Sequence, residues 1–432
     1  MTFRQLVFQP GSAGLGTDTF AWLRGGESSF LTDLDPDLRS LGDVRRPYRD
    51  FAAFATGVFL ADRTVARPKS WRRHIELSVP VYDATGWTEH AAHWAQTLEI
   101  LSSDSWQLTF TLRPGPEEMT AQEQPEVDRV LLFSGGADSL CGAIRSLAAE
   151  ERLLLVSHWD WSGHSAVQER LASELGARFA GQVTHRRIHL SRRSIQIGGG
   201  AFGDEKTRRT RSLLFQSLGL AVASADPAAP LWIAENGYAA LNPPLAGERR
   251  GALSTRTTHP LVLSRVREVL RALGGHAESE NPFTVMTKGE MHAEAAAALG
   301  KQDAEKILAM SHSCSHVRYA VGTGYPPETQ CGVCFGCLVR RSAFHAADMT
   351  DTTIYLHRVI PADQQPPHLR QTAQSEVRTV RYAGQRGISA ADVLSVGLPD
   401  DMPVDDAVSV ARRGLAELAA VVDAEPDLRA VR

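Results

Sequence analysis

The chain has 432 residues, of which 43% are hydrophobic and 22% charged, and its formal net charge is −4. That length suggests two or three domains with a sizeable buried core. The mild acidity argues against a nucleic-acid partner, no stretch reaches the ~20 apolar residues of a membrane span, and Met1-Thr2-Phe3-Arg4-Gln5 carries no signal pattern, so a cytoplasmic location without a membrane partner is expected.

Residues 1–125 read as an N-terminal α+β extension. Its clearest strands are His74–Tyr82 and Ser105–Leu112, both of which alternate apolar and polar residues. Thr88–Leu101 between them reads as a helix. The stretch 113–125, rich in Pro, Gly and acids, reads as a linker. Residues 126–345 alternate strands and helices. Val130–Phe133 is a strand followed by a Gly-rich turn and a helix from Asp138. Leu153–Ser157, His185–Leu190 and Leu231–Ala234 are further strands, with helices over 165–176 and 208–223. Such alternation predicts an α/β fold, a parallel sheet with helices on both faces and ligand loops at the strand C-terminal ends. Residues 346–432 form a helical C-terminal extension whose plainest helix is Val404–Val422.

The strongest chemical signal is Phe133-Ser134-Gly135-Gly136-Ala137-Asp138-Ser139, placed between an apolar strand and a helix. Glycines let the backbone turn tightly around an anion, and the first N–H groups of the helix then face phosphate oxygens. Ser134 and Ser139 add hydroxyls. Asp138 caps the helix or holds a magnesium ion. A Gly-Lys-Ser/Thr sequence is missing, which excludes a Walker loop here. The alternative, an ordinary Gly turn before a helix, does not account for the whole hexapeptide.

Of the five cysteines, Cys314 is followed after sixteen residues by Cys331, Cys334 and Cys337. Cys-x2-Cys turns bring thiolates onto one tetrahedral ion, and four sulfurs leave no open position, as in structural zinc sites. An iron–sulfur cluster or a reduced apolar cluster are the alternatives. Cys141 stands apart and reads as a small buried hydrophobe.

The hexapeptide resembles the signature of the PP-loop ATP pyrophosphatases. The resemblance implies a five-stranded parallel sheet and a reaction in which ATP is split between its α- and β-phosphates and the substrate oxygen becomes an adenylate. Both motifs together, over roughly Val130 to Phe344, resemble QueC, the 7-cyano-7-deazaguanine synthase family. Ser157-His158-Trp159 with Gly163-His164-Ser165, the helix start at Arg211, the Thr287-Lys288-Gly289-Glu290 segment, and Ser313-Cys314 with the later cysteines and Arg340-Arg341 are similar to that family's pieces. The resemblance implies ATP, Mg2+ and Zn2+ as cofactors, with 7-carboxy-7-deazaguanine or a related acid as substrate. Departures lie at Glu235–Pro244 and Ser254–Pro260, where the family carries its substrate-facing element, and at Ser212, where the family has Asn. The added N-terminal region is similar to that of the QueC-like proteins of anti-phage operons, the Qat and type IV CBASS systems, which implies a partner protein from the same operon.

Several single residues carry two readings. Arg208, Arg209 and Arg211, with Lys206, hold phosphate or a carboxylate, or form a solvated helix start; the family match favours function at Arg211. Lys288 neutralises charge on leaving pyrophosphate or is a surface lysine. Glu235 and Asn236 read a purine-like edge or make a simple turn. His158, Trp159 and Trp161 stack on the base or belong to the core. The resulting expectation is an ATP-dependent carbon–nitrogen ligase whose acceptor is ammonia or a partner-protein amine. Position 2 is Thr, so there is no N-terminal cysteine nucleophile to make ammonia within the chain. A tRNA-modifying PP-loop enzyme and an inactive nucleotide-binding scaffold are the alternatives.

Overall fold

The computed structural model describes residues 2–8, 18–23, 27–68, 72–113, 115, 122–160, 162–197, 199–205, 209–245, 256–316 and 319–431, and of 162–164 only the backbone. Ten strands form among them: β1 (Thr2–Val7), β2 (Thr19–Ala21), β3 (Phe30–Thr32), β4 (His74–Val81), β5 (Ser105–Leu112), β6 (Arg129–Leu132), β7 (Leu153–Trp159), β8 (Val183–Arg192), β9 (Leu231–Trp232) and β10 (Ser279–Glu280). They build two sheets, a four-stranded one in the order β2-β1-β4-β5 and a six-stranded one in the order β10-β9-β6-β7-β8-β3. The protein is an α/β molecule.

The first sheet is parallel throughout. The expectation of an α+β extension is corrected here: β4 reaches β5 through the helices Ala84–Glu89 and Ala91–Ser102, and parallel neighbours need such a crossover. The one helix expected over Thr88–Leu101 is these two, broken at His90. Alternation in β4 and β5 marks a sheet with one face packed, and that pattern does not report strand direction.

In the second sheet the five strands β10, β9, β6, β7 and β8 run parallel. A sixth, β3, joins antiparallel at the β8 edge and comes from the first region. The sheet is therefore mixed. Its middle is buried on both sides, which explains the continuous apolar runs. Val130, Leu132, Leu154 and Val156 point into one core, and the alternate residues Leu131, Leu153 and Leu155 into another. β10 gave no sequence signal, because two residues are too short to show a period.

The 19-residue helix Arg46–Thr64 was also invisible to periodicity. It is buried around most of its circumference and packs against both β4 and the helix Arg211–Ser224, so it has no polar face to mark it. A single apolar core runs from the first region, through this helix, to one face of the second sheet. Trp87 stacks on Trp94 within it, with ring centres 5.5 Å apart.

A buried ionic cluster sits at the end of that helix. Arg73 pairs with Asp62 and Asp104, and Arg67 adds a bidentate bond to Asp104 at 2.8 and 3.0 Å. The second oxygen of Asp62 accepts both the backbone N–H and the hydroxyl of Thr210, at 3.3 and 2.8 Å. Thr210 precedes Arg211, so the first region fixes where that arginine's helix begins. Asp62→Ala leaves a buried guanidinium with one anion fewer and frees two Thr210 donors. The expected loss is about 3–5 kcal/mol, read from the urea midpoint; a loss under about 1 kcal/mol would show that the cluster is not structural.

The C-terminal helices Pro367–Arg386 and Val404–Ala424 pack with the helix Phe335–Ala346 around a third core that includes the four clustered cysteines. The expected helix from Val404 is present. No helix is long and apolar enough to cross a membrane among the described residues.

Candidate functional site

β6 ends at Leu132, and the chain turns through Ser134, Gly135 and Gly136 into the helix Ala137–Ala148. Gly135 adopts φ +82°, in the left-handed region that favours glycine. The turn is held by local bonds: the Gly136 N–H donates to Ser134 Oγ at 3.2 Å, and Ser139 Oγ donates to the Gly136 carbonyl at 3.0 Å. From outside, the His312 N–H donates to the Gly135 carbonyl at 3.1 Å. Phe133 and Ala137, flanking the turn, are fully buried and anchor it in the core.

The turn opens on a cavity of about 410 Å³ at the C-terminal ends of β6, β7 and β9, where ligands bind in open α/β sheets. Ser134, Ser139, His158, Gln168, Arg211 and Glu235 line it, with Ser212, Thr258, Ser313 and Cys314. Three polar atoms on this wall, Gln168 Oε1, Ser212 Oγ and Ser313 Oγ, are buried with no hydrogen-bond partner among the described residues. A buried polar atom without a partner costs about 1–3 kcal/mol, so such atoms fit a wall that meets a polar ligand.

Asp138 does not cap its helix. Its Oδ2 meets Lys288 Nζ at 2.6 Å, and its Oδ1 accepts from the Asn236 backbone N–H at 3.0 Å and from Asn236 Nδ2 at 2.9 Å. Burial alone would raise the Asp138 carboxyl, but the Lys288 ammonium and the Asn236 donors outweigh it and hold the group below the ordinary range. The same pairing keeps Lys288 charged against its own burial. Neither residue is on the cavity wall. Lys288 is buried at the start of the helix Lys288–Leu299, whose capping box of Thr287 and Glu290 sets its direction. Glu417 of the C-terminal helix accepts from the Thr287 hydroxyl and, at 3.2 Å, from the Gly289 N–H.

The other expected residues divide. Arg211 faces the cavity and pairs with Asp160 at 3.4 Å. Glu235 lines it too. Asn236 is fully buried, its amide committed to Asp138 and to capping the helix Gly237–Leu241. His158 lines the cavity and its Nε2 lies 2.9 Å from the Leu190 carbonyl, while Trp159 stacks on His189 at 4.0 Å, away from the wall. Arg209 is buried and donates to the Ser102 carbonyl at 3.0 Å, a structural role. Lys206, Arg208 and Trp161 lie outside the described residues. Gln168 was missed, because a lone Gln in a sequence carries no motif, and Ser313 was noted only as the neighbour of Cys314 and not as a cavity residue.

The sulfurs of Cys314, Cys331, Cys334 and Cys337 all lie within 4.8 Å of one another and are buried. The Cys331–Cys337 and Cys334–Cys314 separations are 3.8 and 3.9 Å. A tetrahedron with Zn–S bonds of ~2.3 Å has sulfurs ~3.8 Å apart, so the four fit one such metal ion. Backbone N–H groups point at these sulfurs as at thiolates: Cys334 and Val333 donate to Cys331 Sγ at 3.3 and 3.5 Å, and Cys331 donates to Cys314 Sγ at 3.4 Å. Cys141 is buried in the helix Ala137–Ala148, where burial pushes its thiol far up; it is inert packing.

Three buried histidines and the half-buried His185 make the protein acid-sensitive. Burial, helped by Arg211, lowers His158 to about 4; burial lowers His185 and His259 to about 4 with help from Arg187 and Arg256, and His292 to about 3 with help from Lys288. A histidine with a folded value below its unfolded ~6.5 protonates first in the unfolded chain. Stability is therefore full well above pH ~6.5, begins to fall as the pH approaches that value, and drops below it towards the folded values by roughly 1 kcal/mol per unit per histidine. Urea midpoints at pH 7.5, 6.5 and 5.5 should decline in both intervals, and more steeply in the second.

No protein-family model and no curated protein matches this chain.

Proposed function

We propose that this protein is an ATP-dependent ligase of the PP-loop type, which adenylates a carboxylate with release of pyrophosphate and passes the acyl group to an amine. The observation that carries the reading is the Ser134–Ser139 loop, a glycine-rich turn at a strand C-terminus that opens onto a polar cavity with Arg211 on its wall. The loop N–H groups and the hydroxyls of Ser134 and Ser139 suit pyrophosphate oxygens. Arg211 suits the charge that builds on the α-phosphate as the carboxylate attacks. The five parallel strands in the order β10-β9-β6-β7-β8, with the loop after β6, suit this class. Magnesium bound with ATP would neutralise part of the phosphate charge.

The resemblance to QueC supports 7-carboxy-7-deazaguanine or a related acid as substrate, and the resemblance to enlarged anti-phage relatives supports an amine on a partner protein over ammonia. The first region is built into the shared core and lends β3 to the second sheet. Deleting residues 1–125 therefore tests folding and not partner docking.

ATP–pyrophosphate exchange with 7-carboxy-7-deazaguanine is the direct test. Exchange that depends on the acid is expected, and Ser139→Ala should reduce it by about 100-fold, the scale set by one lost donor to a developing charge. Exchange at wild-type level in Ser139→Ala would refute the phosphate assignment, and none in the wild type would refute adenylation of this acid.

A further inference from the structure

Glu235 stands on the cavity wall just beyond the end of β9, in a position fixed from two sides. Its backbone N–H donates to Asn281 Oδ1 at 3.2 Å, and Asn281 Nδ2 donates back to its carbonyl at 2.7 Å. Asn236 Nδ2 donates to the Glu235 carboxyl at 3.2 Å and to Asp138 at 2.9 Å, so one amide links the two carboxyl groups. The cation that joins that linked group among the described residues, Lys288, is bound to Asp138 at 2.6 Å. Thr258 faces Glu235 from the segment before the helix Pro260–Ala272. The remaining titratable or charged groups on the wall are His158, Arg211, His312 and Cys314, the last committed to the cysteine cluster. The cavity thus carries a carboxyl group whose backbone is held from two sides and which, among the described residues, makes no ion pair.

We propose that Glu235 is the base that takes the proton from the attacking amine when it captures the adenylate, an assignment that rests on the adenylation reading above. The amine nitrogen forms a bond to the acyl carbon, one N–H proton passes to the Glu235 carboxylate, and the bond from the acyl carbon to the phosphate oxygen breaks. AMP leaves with that electron pair, and the proton leaves Glu235 for solvent. Burial, then the neighbouring Asp138 carboxylate, pushes Glu235 up to about 8, which matches a base that works near neutral pH. A carboxyl at an ordinary value would be a weaker proton acceptor.

The test uses the full chain with ATP, 7-carboxy-7-deazaguanine and hydroxylamine, a nucleophile already uncharged near pH 7. Hydroxamate formation measures transfer, and ATP–pyrophosphate exchange measures adenylation. In Glu235→Gln, transfer should fall by about 100-fold or more while exchange falls less than tenfold. Wild-type transfer should rise with pH through about 8, and Glu235→Gln should lose that rise. Glu235→Asp should recover part of the transfer rate. Equal losses in both reactions, or an unaltered pH profile, would overturn the assignment. Wild-type protein without exchange would overturn the adenylation reading itself, and this inference with it.

Discussion

Cys334→Ser should lose the bound metal and most of the folded protein with it. The freshly purified wild type should contain one zinc per chain. A structural Cys₄ site is worth on the order of 10 kcal/mol in small zinc modules, and even half of that exceeds the margin of many proteins. In this chain the effect should spread further, because the cluster belongs to a core shared with the C-terminal helices. It also reaches the candidate site. Cys314 lines the cavity, and the same strand of chain carries His312, whose N–H holds the Gly135 carbonyl of the phosphate loop. Packing there is tight: a Cβ on Gly336 would lie 2.3 Å from the Ser313 carbonyl oxygen. Gly336→Ala should therefore loosen the cavity wall with the metal still bound. Elemental analysis and thermal unfolding check both variants. Metal-free wild-type protein, or an unshifted transition in Cys334→Ser, would count against the site.

Asp138→Ala should abolish pyrophosphate exchange and also destabilise the fold by on the order of 3 kcal/mol. Expecting a silent effect on the fold is reasonable from sequence, where Asp138 looks like a free ligand at a helix start. In the structure its removal strands the buried Lys288 ammonium and two donors of Asn236. The double variant Asp138→Asn/Lys288→Met removes both charges and keeps an acceptor for Asn236. Its stability should return to within about 1 kcal/mol of the wild type, a coupling that urea unfolding measures. Exchange should stay low, because the lysine next to the phosphate loop is gone. Full exchange in the double variant would instead mean that the pair only holds the loop in place. The pH dependence has a definite sign. The depressed Asp138 contributes stability above its unfolded value, lost as pH falls through the folded one. The raised Lys288 contributes below its unfolded value, lost as pH rises through the folded one.

Much of the candidate site was legible because it is local. A strand, a glycine turn and a helix are consecutive in the chain, so Ser134 to Ser139 show their arrangement in order. Three of the four cysteines lie within seven residues, and their short turns bring the sulfurs together. Strands buried on both faces appear as apolar runs, which is why β6 and β7 could be found.

Tertiary structure decided what depends on distance along the chain. Asp138, Asn236 and Lys288 come together across 98 to 150 residues, and no spacing rule reports that meeting. Lys288 looks exposed in a polar segment, yet it is buried because the capping box and Glu417 aim its helix at Asp138. Asn236 looked like a ligand group and is a cap. The first region looked separable because of its linker, but the helix Arg46–Thr64 has apolar residues on all sides and needs partners on all sides. Local sequence sets which backbone turns and ligand clusters can form; only the folded chain determines which charges are removed from water together, because burial is a property of neighbours and not of residues.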